Sequence, residues 1–176
     1  GEPPIFSGPA TARAMIIGQA PGYTEMTHQR PFNFTSGTRL FAWLAEAGWD
    51  EDDFRARHYM ASVTRCYPGK HPSGRGDRVP TREEQTLCAE WRAEELALLD
   101  LKLIIPVGKL AIGLYYDAKQ PLREIIGTTR TTPEGAHVVP LPHPSGASTW
   151  HMQPANRALI DRAVDHLRAL RERYSL

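Results

Sequence analysis

Four short apolar runs set the frame of this chain: AMII at 14–17, YMASVT at 59–64, KLIIPV at 102–107 and HVVPL at 137–141. Each reads as a buried or half-buried strand that ends at a turn rich in glycine or proline. Helix-patterned segments lie between them. The apolar residues of 38–47 (TRLFAWLAEA) recur at helical spacing, Gly48 closes that helix, and 49–57 (WDEDDFRAR) continues as an acidic turn or short helix. Thr81 with Glu84 three residues on forms a capping box that opens a helix to about residue 99. Another helix is expected from 109 to about 116. A closing helix over 153–172 carries Leu159, Ile160, Ala163, Leu167 and Leu170 along one face, which packs on the sheet. Residues 1–13 read as an extended edge segment, and 127–135 as a turn region with room for a short strand. Strands alternating with helices imply an α/β fold with a mostly parallel sheet covered on both sides.

A length of 176 residues fits one domain, 1–176, with a substantial buried core. No run of the sequence approaches the length that crosses a bilayer, and no basic-then-apolar leader is present, so a cytoplasmic protein with no membrane partner is expected. Two cysteines, Cys66 and Cys88, make neither a disulfide scaffold nor a four-ligand metal site, and none of the seven histidines stands at a metal-ligand spacing from them. The net charge of +1 is uninformative by its sign; its distribution matters more.

In a parallel sheet the loops at the carboxyl ends of the strands share one edge, and that edge is where ligands bind. The long loop 18–37 (GQAPGYTEMTHQRPFNFTSG) offers Gly18, Pro21 and Gly22 for sharp turning and Phe32 as a flat apolar face; alternatively its glycines serve only the connection. Residues 66–80 form a second loop which, with the residue before it, concentrates Arg65, Lys70, His71, Arg75 and Arg78. This is either a solvated loop with scattered charge or a patch that neutralises phosphates. A third loop, 142–148 (PHPSGAS), brings His143, Ser145, Gly146 and Ser148 to the same edge. Gln19, Phe32, Ser62 and His143 together suit a planar heterocycle such as a nucleobase removed from its stack, with the small residues and the basic loop on the flanking phosphates.

The motifs GQAPG, RPFNFTSG, SVTRCYPG, KLIIPVGKLA and LPHPSGAS occur in the order and approximate spacing of the uracil-DNA glycosylase superfamily. The resemblance covers roughly residues 15–156 and is closest to the iron–sulfur branches. It implies a three-layer α/β/α sandwich around a four-stranded, mostly parallel sheet, acting as a monomer on single- or double-stranded DNA. The implied activity is repair by base flipping, with hydrolysis of the N-glycosidic bond of uracil to leave an abasic site. By the same resemblance Phe32 stacks on uracil, the backbone of Gly18, Gln19 and Ala20 borders the pyrimidine, and His143 donates to the carbonyl oxygen on which charge builds as the bond breaks.

The chain departs from that pattern in three places. Where one branch has a water-positioning aspartate this chain has Ala20, and where the iron–sulfur branches often have glutamate it has Gln19, which is no general base near neutral pH. Ser62 stands where an asparagine reads the base edge. Cys66 and Cys88 match two of four cluster ligands and the N-terminal pair is missing from residues 1–18, so no cluster and no cofactor are expected. The expected mechanism is therefore dissociative, with His143 stabilising the leaving base and a water held by Gln19. Glu25, in the same loop, either approaches the sugar or is simply exposed, and His71 either bonds covalently to the sugar, as in a related branch, or contacts phosphate or is simply exposed. The competing readings are a catalytically weak or inactive binder of abasic or damaged DNA, and a small-molecule enzyme using the same crevice.

Overall fold

The computed structural model describes residues 3–145 and 149–176. Three apolar runs become adjacent parallel strands: β1 (Ala14–Gly18) lies between β2 (Tyr59–Ser62) and β3 (Leu103–Pro106). Every residue of all three is buried. Successive side chains of a strand point to opposite faces, so a strand buried at every position is covered on both sides, as the layered α/β architecture requires. The sheet order is β2-β1-β3-β5-β4, in which β5 (His137–Val138) runs parallel to β3.

The sheet has five strands, not the four expected. The extra one, β4 (Arg130–Thr131), is an exposed two-residue edge strand antiparallel to β5. It forms because Thr132 and Gly135 close a tight turn that brings the Thr132 amide onto the Ala136 carbonyl at 2.8 Å. The chain lays β2 on one side of β1 and then crosses over to lay β3 on the other, all three strands running the same way. The register pairs Gly18 with Ser62 and Ile17 with Pro106, and a bridge joins Val107 to Leu141. The four parallel strand ends are thus level along one edge at a topological switch point, the place where open α/β sheets bind ligands.

The helices are α1 (Tyr23–His28), α2 (Thr35–Glu46), α3 (Glu51–Arg57), α4 (Arg82–Leu98), α5 (Lys109–Ile112), α6 (Leu122–Ile125) and α7 (Pro154–Tyr174). The capping box expected at Thr81 is present: its hydroxyl accepts from the Glu84 amide at 3.2 Å and the Glu84 carboxylate accepts from the Thr81 amide at 2.7 Å. α7 buries Ile160, Ala163, Val164, Leu167 and Leu170 and packs on α2. Two expectations need correction. The loop 18–37 contains a helical turn and a half, α1, because the Glu25 side chain caps the amide of Gly22. The helix expected to reach residue 116 stops at Ile112 and continues as turns in which the Tyr115 and Tyr116 amides both bond the Ile112 carbonyl.

At the end of α3, His58 is 2 % exposed, lies tilted with its ring centroid 4.9 Å from that of Phe54, and has no hydrogen-bond partner at either ring nitrogen. Burial, reinforced by Arg57 and Arg13 and opposed by Asp53, pushes its pKa from 6.5 down to about 4. Folding therefore favours the neutral ring. The corresponding stability is complete above 6.5 and is lost as pH falls towards about 4, by at most about 3 kcal/mol. His58→Leu is expected to flatten this acid limb in urea titrations between pH 7 and 4.5, and an unchanged limb would refute the assignment.

Candidate active site

A slot of about 490 Å³ opens at the carboxyl edge of the sheet, and Phe32 and His143 both line it. Gly18, Gln19 and Ala20 from the end of β1, Ser62 from β2 and Val107 after β3 form its inner wall, with Phe34 at 63 % exposure on its rim. Gly18 is required by close approach: a Cβ there would stand 2.7 Å from Phe32 Cζ and 3.1 Å from Ser62 Oγ. The wall is flat because that position has no side chain. Gln19, Phe32, Ser62 and His143 come from separate parts of the chain, yet all four line this slot.

Phe32 is nearly buried and adopts φ +50°, the left-handed region that a bulky residue avoids. Polar groups on both sides hold it there. The Phe32 and Gly22 amides each donate to Glu25, at 2.5 Å to Oε1 and Oε2 respectively. Arg55 of α3 donates to the carbonyls of Pro31 and Phe32, both at 2.9 Å. Glu25 is thus neither an exposed loop residue nor a group with an idle oxygen. Burial raises its pKa, and the two amide bonds oppose that rise.

His143 is half-buried, and desolvation lowers its pKa from the ordinary value, so the ring is neutral at pH 7. The backbone amide of Ser145 donates to His143 Nδ1 at 3.1 Å. A nitrogen that accepts carries no proton, which leaves the proton of the neutral ring on Nε2 as a hydrogen-bond donor. Arg39 of α2 secures the same loop by donating to the Pro144 carbonyl at 3.0 Å. Sequence reasoning did not find Arg39, because its partner lies far along the chain and accepts through its backbone.

The basic segment divides in two. Arg65, expected to face phosphates, is 5 % exposed and bonds Glu95 and the Ser62 carbonyl, so it braces the interior beneath β2. Arg78 is engaged by Glu84 through two bonds of 2.8 and 2.6 Å, although it lines the slot. Lys70, His71 and Arg75 are exposed on a hairpin closed by a bridge between Lys70 and Asp77, and Arg75 lines the slot. His71 Nδ1 lies 2.8 Å from the Ser73 hydroxyl. Asp77 fastens the hairpin to α1 by accepting from Tyr67 Oη at 2.8 Å and the Tyr23 amide at 3.3 Å. Asp77→Ala is expected to speed amide exchange across 70–76 and leave β1 protected, measured by hydrogen–deuterium exchange. Ser145 lines the slot; Gly146 and Ser148, expected beside it, lie outside the described residues.

Cys66 and Cys88 line another, largely apolar cavity of about 570 Å³, with Phe6, Leu87 and Trp91. The iron–sulfur branches would place a cluster on four thiolates, and these residues supply two. Among the described residues no group of three or more His, Cys, Asp or Glu could hold a metal ion.

A family description, the Uracil DNA glycosylase superfamily, matches residues 5–168. The chain is similar to a type-4 uracil-DNA glycosylase of Thermotoga maritima, 27 % identical over 142 residues that cover 80 % of this chain and 69 % of that protein. It is also similar to a type-5 uracil-DNA glycosylase of Thermus thermophilus, 32 % identical over 173 residues, covering 85 % and 74 %. A type-4 enzyme of Pyrobaculum aerophilum is 29 % identical over 97 residues, or 55 % of this chain and 44 % of the relative.

Proposed function

The chain belongs to the uracil DNA glycosylase superfamily, and on that footing we propose that its strand-end slot receives a uracil everted from DNA and that the protein, as a single domain, hydrolyses the N-glycosidic bond. The observation that carries this reading is the neutral His143, fixed by the Ser145 amide with Nε2–H as donor, in the same slot as the Phe32 ring.

Phe32 stacks on the pyrimidine, while the backbone after Gly18 and the Ser62 hydroxyl border its edge. As the C1′–N1 bond breaks, its electron pair passes to the base, and negative charge builds on the carbonyl oxygen facing Nε2–H. A donor already aimed at that oxygen stabilises the charge without reorganising. Water then bonds C1′; one of its hydrogens stays on the new hydroxyl and the other ends on N1 of uracil. Gln19 holds this water by hydrogen bonding and takes no proton.

The two carboxylates lining the slot among the described residues are both engaged, Glu25 by two amides and Asp77 by Tyr67 and the Tyr23 amide. This favours a dissociative reaction with weakly activated water, and it is also the observation that favours the second reading, a binder of abasic DNA with little catalysis. Incubation with single-stranded and duplex uracil-DNA followed by alkali separates the two. Strand scission is the expected result; tight abasic-DNA binding without scission would establish the binder. Denaturing gels are expected to show no adduct through His71.

Lys70 and Arg75 meet the phosphates flanking the everted nucleotide. Each alanine substitution is expected to lower the slope of log affinity against log salt by about one, whereas Arg65→Ala leaves the slope unchanged. Fluorescence anisotropy across a salt series reads both.

A further inference from the structure

We propose that Glu25 is the positioning residue of the base-stacking ring: its carboxylate clasps the amides of Gly22 and Phe32 and thereby holds Phe32 in the backbone conformation that lays its ring against Gly18. The inference rests on the reading of the slot as a uracil pocket and assigns Glu25 no part in activating water.

Three observations converge. Phe32 stands at φ +50°, a conformation that persists in a bulky residue only where its surroundings impose it. Both oxygens of Glu25 accept from backbone amides at 2.5 Å, one at each end of the chain segment that carries α1. Arg55 grips the same peptide from its other side, through the Phe32 carbonyl at 2.9 Å. The amide and the carbonyl of one residue are therefore tied to opposite charges on different elements. The ring that this backbone carries approaches Gly18 so closely that a Cβ there would meet its Cζ at 2.7 Å. A small rotation of the Phe32 backbone would swing the ring into the space a pyrimidine needs, and the clasp opposes that rotation.

Each Glu25 oxygen already accepts from an amide of the loop itself, which ties both to the loop backbone and leaves one lone pair on each. Glutamine in place of Glu25 keeps the length but offers one oxygen, so one amide loses its acceptor and faces an NH₂ group. Aspartate keeps the charge but is one methylene too short to serve both amides.

The test is a double-mutant cycle of wild type, Glu25→Gln, Phe32→Ala and the pair, reading the inhibition constant of free uracil and the single-turnover rate. Glu25→Gln is expected to weaken uracil about 10- to 100-fold, the effect of one charge-assisted hydrogen bond, and to add nothing once Phe32 is alanine. Effects that multiply in the double variant would overturn the proposal and make Glu25 an independent contributor. A second readout needs no turnover. In the wild type the Phe32 and Gly22 amide protons should lie downfield and shift together in an NMR acid titration, as Glu25, faced by Asp77 and Arg55, takes up its proton. Glu25→Gln should abolish that joint shift, and amides that never titrate together would refute the clasp. If the wild type releases no uracil, the glycosylase reading fails, and the clasp is judged on the amide titration alone.

Discussion

His143→Ala is expected to slow uracil release about 10²- to 10³-fold in single turnover, the usual cost of removing one preorganised donor to a developing anion. The magnitude follows from the site. The ring is half-buried and neutral, its Nδ1 is occupied by the Ser145 amide, and it lines the slot. In water such a donor would be worth little, because solvent replaces it; in a desolvated slot nothing does. Binding of abasic DNA should change far less than the rate, since the donor matters most while charge is developing. The pH profile gives an independent check. Because desolvation lowers the pKa of His143, activity should stay level through neutrality and fall only below the ordinary histidine range, where a proton on Nδ1 would face the Ser145 N–H. That acid limb should vanish in His143→Gln, and a limb unchanged by the substitution would assign it to another group. Alanine retaining the full rate would remove His143 from the chemistry.

The parts of this fold legible in the sequence were those fixed by local chemistry. β1 and β3 are apolar at nearly every position because both faces of the sheet are covered, and Thr81 and Glu84 spell out a cap that the structure makes in both directions. The convergence of three loops was legible as well, because it follows from parallel strands. What escaped depended on partners far apart in the chain. Arg65 reads as one more cation of a basic loop until Glu95, thirty residues on, is seen to hold it under β2. α1 lacks a side chain at its cap, Gly22, so the usual signature is missing and Glu25 alone closes the turn. β4 is too short to carry a pattern. The left-handed backbone of Phe32 was unreadable for the same reason, since Arg55 and Glu25 impose it and its own residue type argues against it.

That imposed conformation makes Gly37 the second position where a small change should act strongly. Gly37 lies in the first turn of α2, and a Cβ added there would stand 2.0 Å from the Phe32 carbonyl oxygen and 2.9 Å from its carbonyl carbon. The obstacle is backbone, so no rotamer relieves it. Either α2 moves outward, which disturbs buried Leu40, Phe41 and Leu44, or the Phe32 peptide turns, which breaks the bonds from Arg55 and to Glu25. Gly37→Ala is therefore expected to lower stability by about 1–3 kcal/mol and to weaken free uracil at least as much as Glu25→Gln does. Urea denaturation measures the first effect and uracil inhibition the second. The two substitutions act on one peptide, so their effects on uracil should not multiply when combined, whereas Gly37→Ala with His143→Ala should. Alanine at 37 that leaves both uracil binding and stability intact would mean that the Phe32 peptide is not held where the slot needs it, and the flat wall beside Gly18 would need another explanation.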